Sequence, residues 1–295
     1  MRPPDSTQHG ILLMIATMLI FATMDGLSRY LATSHSVLMV VMIRYWAFAG
    51  FVTLLALRSP GGLRAATRSA RPVAQIARGL ILVAEICVMV LGFVQLGLIE
   101  AHAVFTSYPL LVAALSGPIL GEAVGWRRWT AIVVGFVGVL VILQPGYAVV
   151  SVWALVPLLA ALMFAVYSLL TRYVSRFDSA GISFFWTGMV GAVAITPFGL
   201  ANWTWMNPTE WAWMAVLCVL AVGGHWLLIQ AYARAEASAI QPFAYLQLVF
   251  ASGIGMLVFG ETLRPNVAVG AAIVVLAGVF TLWRQRVRDA ALRRA

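Results

Sequence analysis

The sequence has no lysine and little charge of any kind. Charged residues make up 10% of its 295 residues, and hydrophobic residues make up 62%. A water-soluble domain carries about a quarter charged residues, so this composition excludes an ordinary soluble fold. The two cysteines, Cys87 and Cys218, both lie inside apolar stretches. There they act as small hydrophobic residues rather than as a disulfide framework.

Ten long apolar stretches occupy nearly the whole chain. We number them as spans 1 to 10, at residues 9–31, 36–57, 73–95, 101–121, 126–143, 152–172, 180–200, 211–232, 238–259 and 265–283. A helix needs about 20 apolar residues to cross a bilayer, and in lipid a helix satisfies its own backbone hydrogen bonds. The sequence therefore predicts an all-α integral membrane protein with ten transmembrane helices.

The basic residues, all of them arginines, fall mostly on one side of these spans. Fifteen lie at the two termini or in the even-numbered gaps, against Arg29 and Arg264 in the odd-numbered gaps. Positively charged loops stay in the cytoplasm, so we expect a multi-pass protein of the inner membrane with both termini cytoplasmic. The arginine-rich C-terminus favours contact with anionic lipid. Nucleic-acid binding is disfavoured, because no folded nucleic-acid-binding module accompanies the arginines.

The second half of the sequence resembles the first. Gly121-Glu122 closes span 4 and Gly260-Glu261 closes span 9, and Ala131-Ile132-Val133-Val134 of span 5 matches Ala272-Ile273-Val274-Val275 of span 10. A unit of five spans ends on the opposite side of the membrane from its start, so the second copy is inverted. Inverted repeats are typical of secondary transporters with a substrate site near the midplane.

Ten spans in two sets of five, with Gly-Glu closing spans 4 and 9, resemble the EamA-type members of the drug/metabolite transporter superfamily. Within this family the chain is most similar to bacterial amino-acid exporters of the YddG type. The resemblance implies five-helix repeats at residues 1–145 and 146–295. It also implies a central cavity lined mainly by spans 1, 3, 4, 6, 8 and 9, in a monomer or homodimer without a cofactor.

Four ionisable residues lie at membrane depth, where such groups usually face a cavity or a partner. Asp25 of span 1 and Arg44 of span 2 have similar depths, so we expect an ion pair between them, either fixed or gating. Arg44 could instead bind a substrate carboxylate. Glu85 and His225 lie in the equivalent spans 3 and 8. They could carry a proton, hold a substrate ammonium or form a hydrogen bond between helices.

Spans 4 and 9 each contain a proline beside polar and aromatic residues. Helices interrupted at corresponding positions of two repeats indicate a substrate site, although the prolines could also only shape the bundle. We therefore add five residues to the candidate substrate-binding set, namely Ser107, Tyr108, Tyr167, Gln241 and Tyr245.

Two further patterns concern packing at and between helix ends. Glu122 and Glu261 lie near helix C-termini, where the helix dipole disfavours a carboxylate. We expect Arg127 or Arg128 to neutralise the first and Arg264 the second. Three glycines are predicted to allow close contact between helices, namely Gly135, Gly138 and Gly278.

Several function classes can be set aside. The sequence has no Gly-x-x-x-x-Gly-Lys loop, which disfavours an ATP-driven pump. Its four histidines are scattered without metal-ligand spacing, which disfavours a metal site and an integral membrane enzyme. A channel is also disfavoured, because channels are built from rings of pore-lining residues. The sequence thus predicts a secondary transporter that exports small metabolites, specifically neutral or aromatic amino acids, by alternating access. A multidrug or other metabolite exporter of the same fold is the alternative.

Overall fold

The computed structural model describes residues 4–120, 126–143, 153, 155–234 and 241–292, and every regular element within them is helical. The helices are α1 Pro4–Ser34, α2 Val37–Arg58, α3 Gly62–Thr67, α4 Pro72–Leu96, α5 Leu98–Phe105, α6 Tyr108–Leu120, α7 Trp126–Leu143, α8 Leu155–Val174, α9 Ala180–Ala201, α10 Pro208–Arg234, α11 Leu246–Phe259 and α12 Pro265–Leu292. A short 3₁₀ helix, Gln241–Tyr245, leads into α11.

The predicted ten-span membrane fold is confirmed. Within the described ranges, seven helical stretches are long and apolar enough to cross a bilayer, and three shorter apolar helices account for the other spans, at Trp129–Leu143, Phe243–Phe259 and Pro265–Phe280. Among the described helices, only α3 lies between spans, in the loop that joins spans 2 and 3. Helix α12 continues to Leu292 rather than ending near residue 283, because the arginine-rich segment beyond the apolar stretch extends the same helix.

The helices pack in the way that two inverted repeats require. Helix α1 packs mainly on α10, and its counterpart in the second repeat, α8, packs on α4, which is the counterpart of α10. The equivalent helices α2 and α9 pack on each other, as do α7 and α12. Each packed pair of helices therefore has an equivalent pair when the two halves are exchanged. Each half is held mainly by helices of the other half.

Glycines allow the close contact between α7 and α12. A methyl group added at Gly138 would lie 2.8 Å from the carbonyl oxygen of Gly270. At Gly135 an added methyl group would overlap Leu110, and at Gly278 it would overlap Tyr245. The predicted role of Gly135, Gly138 and Gly278 in close helix packing is confirmed.

Span 4 is interrupted where its proline predicts. Helix α5 ends at Phe105 and α6 begins at Tyr108, because Pro109 has no N–H to donate to the carbonyl of Phe105. The backbone N–H of Ser107 bonds the carbonyl of Val104 at 3.0 Å, closing a tighter turn. In the second repeat, the 3₁₀ helix before α11 contains Pro242. Non-α backbone thus occurs in both repeats at membrane depth.

Candidate functional site

A small cavity lies inside the bundle between α2, α4 and α10. Seven residues line it: Arg44, Tyr45, Phe48, Leu82, Ile86, Ala221 and His225. Its volume of about 10 Å³ is room for about one water molecule. In this structure the cavity is therefore too small to hold a metabolite.

Arg44 is the cation of this cavity. Its residue is 8% exposed, and no hydrogen bond or ion pair to its guanidinium is found within the described part of the chain. A buried charge without a partner is costly, and arginine at membrane depth normally faces a functional cavity. The planar guanidinium matches a carboxylate well. Arg44 is thus placed to receive an anionic group from a molecule in the cavity.

Glu85 lies close to the same cavity on α4, between the lining residues Leu82 and Ile86. It is buried, and its charge interacts with those of Asp25 and Arg44. The cavity region therefore combines one buried cation with one buried carboxyl group. Such a pair can orient a molecule that carries both charges.

Aromatic rings form one wall of the cavity around His225. The His225 ring centroid lies 5.1 Å from that of Phe21 and 5.6 Å from that of Phe48, and Phe48 packs edge-on against Phe184 at 4.7 Å. The imidazole Nδ1 lies 2.7 Å from the carbonyl oxygen of Ala221, so Nδ1–H donates within the helix. His225 is thus held by its own helix, and the structure provides no hydrogen bond between it and Glu85 among the described residues.

Asp25 has a different partner from the one expected. Its Oδ2 lies 3.1 Å from Nε2 of His102 and accepts a hydrogen bond from the Gln247 amide at 2.9 Å. The expected ion pair with Arg44 is replaced by this cluster. Spans 1 and 2 are consecutive in the sequence, but their helices have little contact. Helix α1 packs mainly on α10 and α11 and only slightly on α2.

His102 is a buried residue that sequence reasoning treated as one of several scattered histidines. It is 2% exposed and stacks on Phe93, with ring centroids 4.9 Å apart and planes 8° apart. Its Nδ1 lies 3.0 Å from the carbonyl oxygen of Leu98. Both ring nitrogens therefore have a polar partner, and the imidazole joins α5 to α1.

The predicted residues of span 4 lie beside the helix interruption, outside the present cavity. Tyr108 packs edge-on against Phe164 at 4.8 Å, and Phe164 packs against Tyr167 at 5.7 Å. Ser107 is fully buried, and its hydroxyl has no hydrogen-bond partner among the described residues. The rings of Tyr108, Phe164 and Tyr167 form a second aromatic cluster between the helix interruption and α8.

Tyr245, a predicted residue of span 9, does not line the cavity. The Tyr245 hydroxyl packs against Gly278 of α12, and it too has no hydrogen-bond partner within the described ranges. Contact with α12 directs this side chain away from the residues that line the cavity. Gln241 begins the 3₁₀ helix, and its side chain lies outside the described residues.

Arg78 is a second buried arginine, and the sequence analysis missed it. Its guanidinium donates to the Gln75 side chain at 2.9 Å, to the Thr187 hydroxyl at 2.7 Å and to the carbonyl of Ser183. It also lies over the Tyr167 ring, 5.5 Å from the centroid. In contrast to Arg44, this cation is bound by the protein itself, and it ties α4 to α9.

Asp178 extends this network into the loop between α8 and α9. Its carboxylate accepts hydrogen bonds from the Ala70 N–H and the Gln75 amide, each at 2.8 Å, and from the Ser69 hydroxyl at 2.5 Å. Burial raises the pKa of Asp178, but these hydrogen bonds and the charge of Arg78 outweigh it, so the pKa lies below its ordinary value. The network therefore fastens the loop before α4 to the α8–α9 loop.

Glu261 is bound differently from the prediction. Its carboxylate pairs with Arg29 and accepts hydrogen bonds from the backbone N–H groups of Leu98 and Ile99, both at 2.9 Å. The expected pair with Arg264 is wrong, because Arg264 binds Glu100 at 3.2 Å instead. Glu122 and the side chains of Arg127 and Arg128 lie outside the described residues.

Comparison with known families identifies the chain. The EamA-like transporter family matches it over residues 8–144 and again over residues 151–283. The chain belongs to this family. It is 27% identical to the S-adenosylmethionine uptake transporter of Rickettsia prowazekii, over 94% of both chains. It is 34% identical to the riboflavin transporter of Vibrio cholerae, over 63% of both chains. A solved structure described only as a crystal structure of a protein has the same fold, with a TM-score of 0.63 at 17% identity, over 92% of this chain and 96% of that one.

Family membership establishes the general activity. This EamA-type protein is a multi-pass membrane protein and a secondary transporter of the drug/metabolite superfamily, not an enzyme. These relatives are named as S-adenosylmethionine and riboflavin transporters, so the comparisons show the family but do not show the predicted subgroup of amino-acid exporters.

Proposed function

We propose that this EamA-type transporter carries metabolites that combine a flat ring with an amino-acid end group. Aromatic amino acids have this chemistry, and so does S-adenosylmethionine, the molecule named for the Rickettsia relative. The observation that carries the proposal is Arg44, a buried cation that makes no hydrogen bond or ion pair with the described residues, on a cavity wall that also bears aromatic rings.

Each part of such a substrate has a counterpart at the cavity. The carboxylate pairs with the Arg44 guanidinium, since such charge-assisted hydrogen bonds are short and strong. The ammonium lies toward Glu85 on α4, and the ring packs on the faces or edges of Phe48 and His225. Recognition of both charges selects the amino-acid end, whereas the aromatic wall tolerates rings of different size.

Transport proceeds by alternating access between two inverted repeats, 1–145 and 146–295. A site for a small metabolite usually has a volume of about 300–1,000 Å³, far above that of the closed cavity. Opening one side at a time creates the site around Arg44. A carrier of this kind needs no ATP, and the gradients set its direction. We propose net export of neutral and aromatic amino acids across the inner membrane, with both termini in the cytoplasm.

Flux in reconstituted liposomes tests the substrate class. Vesicles loaded with tryptophan, threonine, S-adenosylmethionine or riboflavin are assayed for efflux and for counterflow of the labelled compound. We expect saturable counterflow of tryptophan and S-adenosylmethionine, with each competing against the other. Transport of riboflavin without transport of any amino-acid compound would overturn the proposal. Flux that does not saturate would indicate a channel.

Riboflavin transport is the second candidate, because the Vibrio relative bears that name. Riboflavin has a large flat ring but no carboxylate to pair with Arg44. Transport of riboflavin should therefore depend on the aromatic residue Phe48 and be insensitive to the loss of the Arg44 charge. Replacing Arg44 with Gln separates the two candidates, since only amino-acid transport requires the guanidinium.

A further inference from the structure

His102 is held in a position that requires one more proton than its neutral form supplies. Its Nδ1 lies 3.0 Å from the Leu98 carbonyl oxygen, and its Nε2 lies 3.1 Å from Oδ2 of Asp25. A carbonyl only accepts hydrogen bonds, and so does an ionised carboxylate, whereas a neutral imidazole has a single N–H. Satisfying both contacts therefore takes an imidazolium, or a protonated Asp25 that donates to Nε2.

The Gln247 amide favours the imidazolium form. It donates to the same Oδ2 of Asp25 at 2.9 Å, so that oxygen already serves as an acceptor. A carboxylate that accepts from both Gln247 and a doubly protonated His102 satisfies all three contacts. The ring of His102 is fixed by its stacking on Phe93 and by burial, so it cannot exchange these partners by rotating in place.

Among the ionisable groups near Asp25, His102 is the one that makes a hydrogen bond with it in the described part of the chain. Glu85 of α4 and His225 of α10 interact with Asp25 electrostatically, and Arg44 of α2 interacts with both of them. None of these three makes a hydrogen bond or ion pair with Asp25 in the described part of the chain. One turn further along α1, Arg29 is engaged by Glu261.

We propose that Asp25 and His102 form the binding site for a transported proton. Uptake of the proton at Nε2 creates the contact that draws α5 onto α1. Release of the proton leaves a nitrogen lone pair facing a carboxylate, so the contact opens and α5 separates from α1. The Arg29–Glu261 pair lies at the same end of α5, so the movement opens the end of span 4 that begins at Leu98. Transport is then coupled to a pH gradient.

The proposal rests on the transporter function but not on the identity of the substrate, so its first test uses no substrate. In a chain lacking both native cysteines, Ala32→Cys reports on the contact, because Ala32 of α1 packs in one buried cluster with Leu98 of α5. Thr33→Cys, at an exposed neighbouring position, corrects for the effect of pH on the maleimide reagent. The ratio of the two labelling rates is measured in liposomes from pH 5.5 to pH 9.

Opening that requires the loss of one proton predicts that the Ala32→Cys to Thr33→Cys ratio rises with pH, by at most about tenfold per pH unit, and then levels off. Asp25→Asn should abolish this dependence and keep labelling slow, since an asparagine amide can donate to Nε2 of a neutral His102. His102→Gln should also abolish it, and Thr23→Ala, a half-buried position on the same helix whose hydroxyl bonds the Leu19 carbonyl, should not. A wild-type ratio independent of pH, or an unchanged pH dependence in Asp25→Asn, would overturn the proposal.

Transport measurements provide the second test. They distinguish the proposed proton site from the proposed substrate class. Asp25→Asn should retain counterflow of the substrate but lose accumulation driven by a pH gradient, because only the gradient requires proton release. If the wild type carries none of the four compounds, the substrate class fails and the labelling result still decides the proton site. Gradient-driven accumulation by Asp25→Asn equal to that of the wild type would overturn the proton site alone.

Discussion

Glu261 caps helix α5, because its Oε1 accepts a hydrogen bond from the backbone N–H of Leu98 at 2.9 Å although the two residues lie 163 positions apart. Its Oε2 does the same for Ile99, and Arg29 of α1 neutralises the carboxylate. Helix N-termini expose unpaired N–H groups and favour negative charge. The Gly-Glu sequence that closes span 9 thus fastens the beginning of span 4 and the end of span 1.

Removal of this carboxylate should destabilise the folded protein. We expect Glu261→Ala to lower the free energy of unfolding by about 2–3 kcal/mol, since it leaves Arg29 and two backbone N–H groups without their acceptor. The measurement is denaturant unfolding in detergent. Glu100→Ala is the matched control, because its pair with Arg264 is more exposed and such pairs contribute about 0–1 kcal/mol. Equal losses in the two variants would contradict the assigned role of Glu261.

Gly97 should not tolerate a side chain. Its φ of +91° is unfavourable for other residues, and an added methyl group would overlap the Glu261 carboxylate. Gly97→Ala should therefore cost about 1–2 kcal/mol or more from the backbone alone. Gly50→Ala, in the middle of α2 with open space around it, should be neutral or slightly stabilising. Thermal unfolding of both variants checks this, and a Gly97→Ala protein as stable as the wild type would refute it.

Asp178 should stabilise the protein in a pH-dependent way. Its pKa is lowered in the folded state, so its contribution is present above the unfolded-state value of about 3.9 and is lost as pH falls through the lowered pKa. Asp178→Asn should cost about 1–3 kcal/mol at pH 7, and this difference should shrink below about pH 4. Unfolding measured from pH 3 to pH 8 tests it. A difference that persists unchanged at pH 3 would contradict the explanation.

Span positions and helix interruptions could be predicted from the sequence because lipid imposes strict requirements. A bilayer fixes the length of an apolar helix and allows no unsatisfied backbone, so the run of apolar residues in α7 gave both of its ends, residues 126 and 143. The interruption after Phe105 follows from the missing N–H of Pro109. These are local properties that depend on few neighbours.

The partners of polar residues could not be predicted in the same way. Asp25 meets His102 because α5 packs near α1, and no residue in the sequence marks that contact. Glu261 meets Leu98 and not Arg264 for the same reason. Arg78 could have been found, since it lies inside predicted span 3 and an arginine at that depth requires a partner. Lateral packing, unlike depth, is not encoded by the length of apolar stretches.

Counterflow by an Arg44→Ala variant tests the central claim most directly. Wild type, Arg44→Ala and Arg58→Ala are compared in liposomes with labelled tryptophan and S-adenosylmethionine, at equal amounts of folded protein. Arg58 lies at the exposed end of the same helix, so its loss should leave transport unchanged. Loss of a charge-assisted contact of about 2 kcal/mol predicts a fall of about 30-fold in transport efficiency for Arg44→Ala. Unchanged saturable counterflow by a well-folded Arg44→Ala protein would contradict the account.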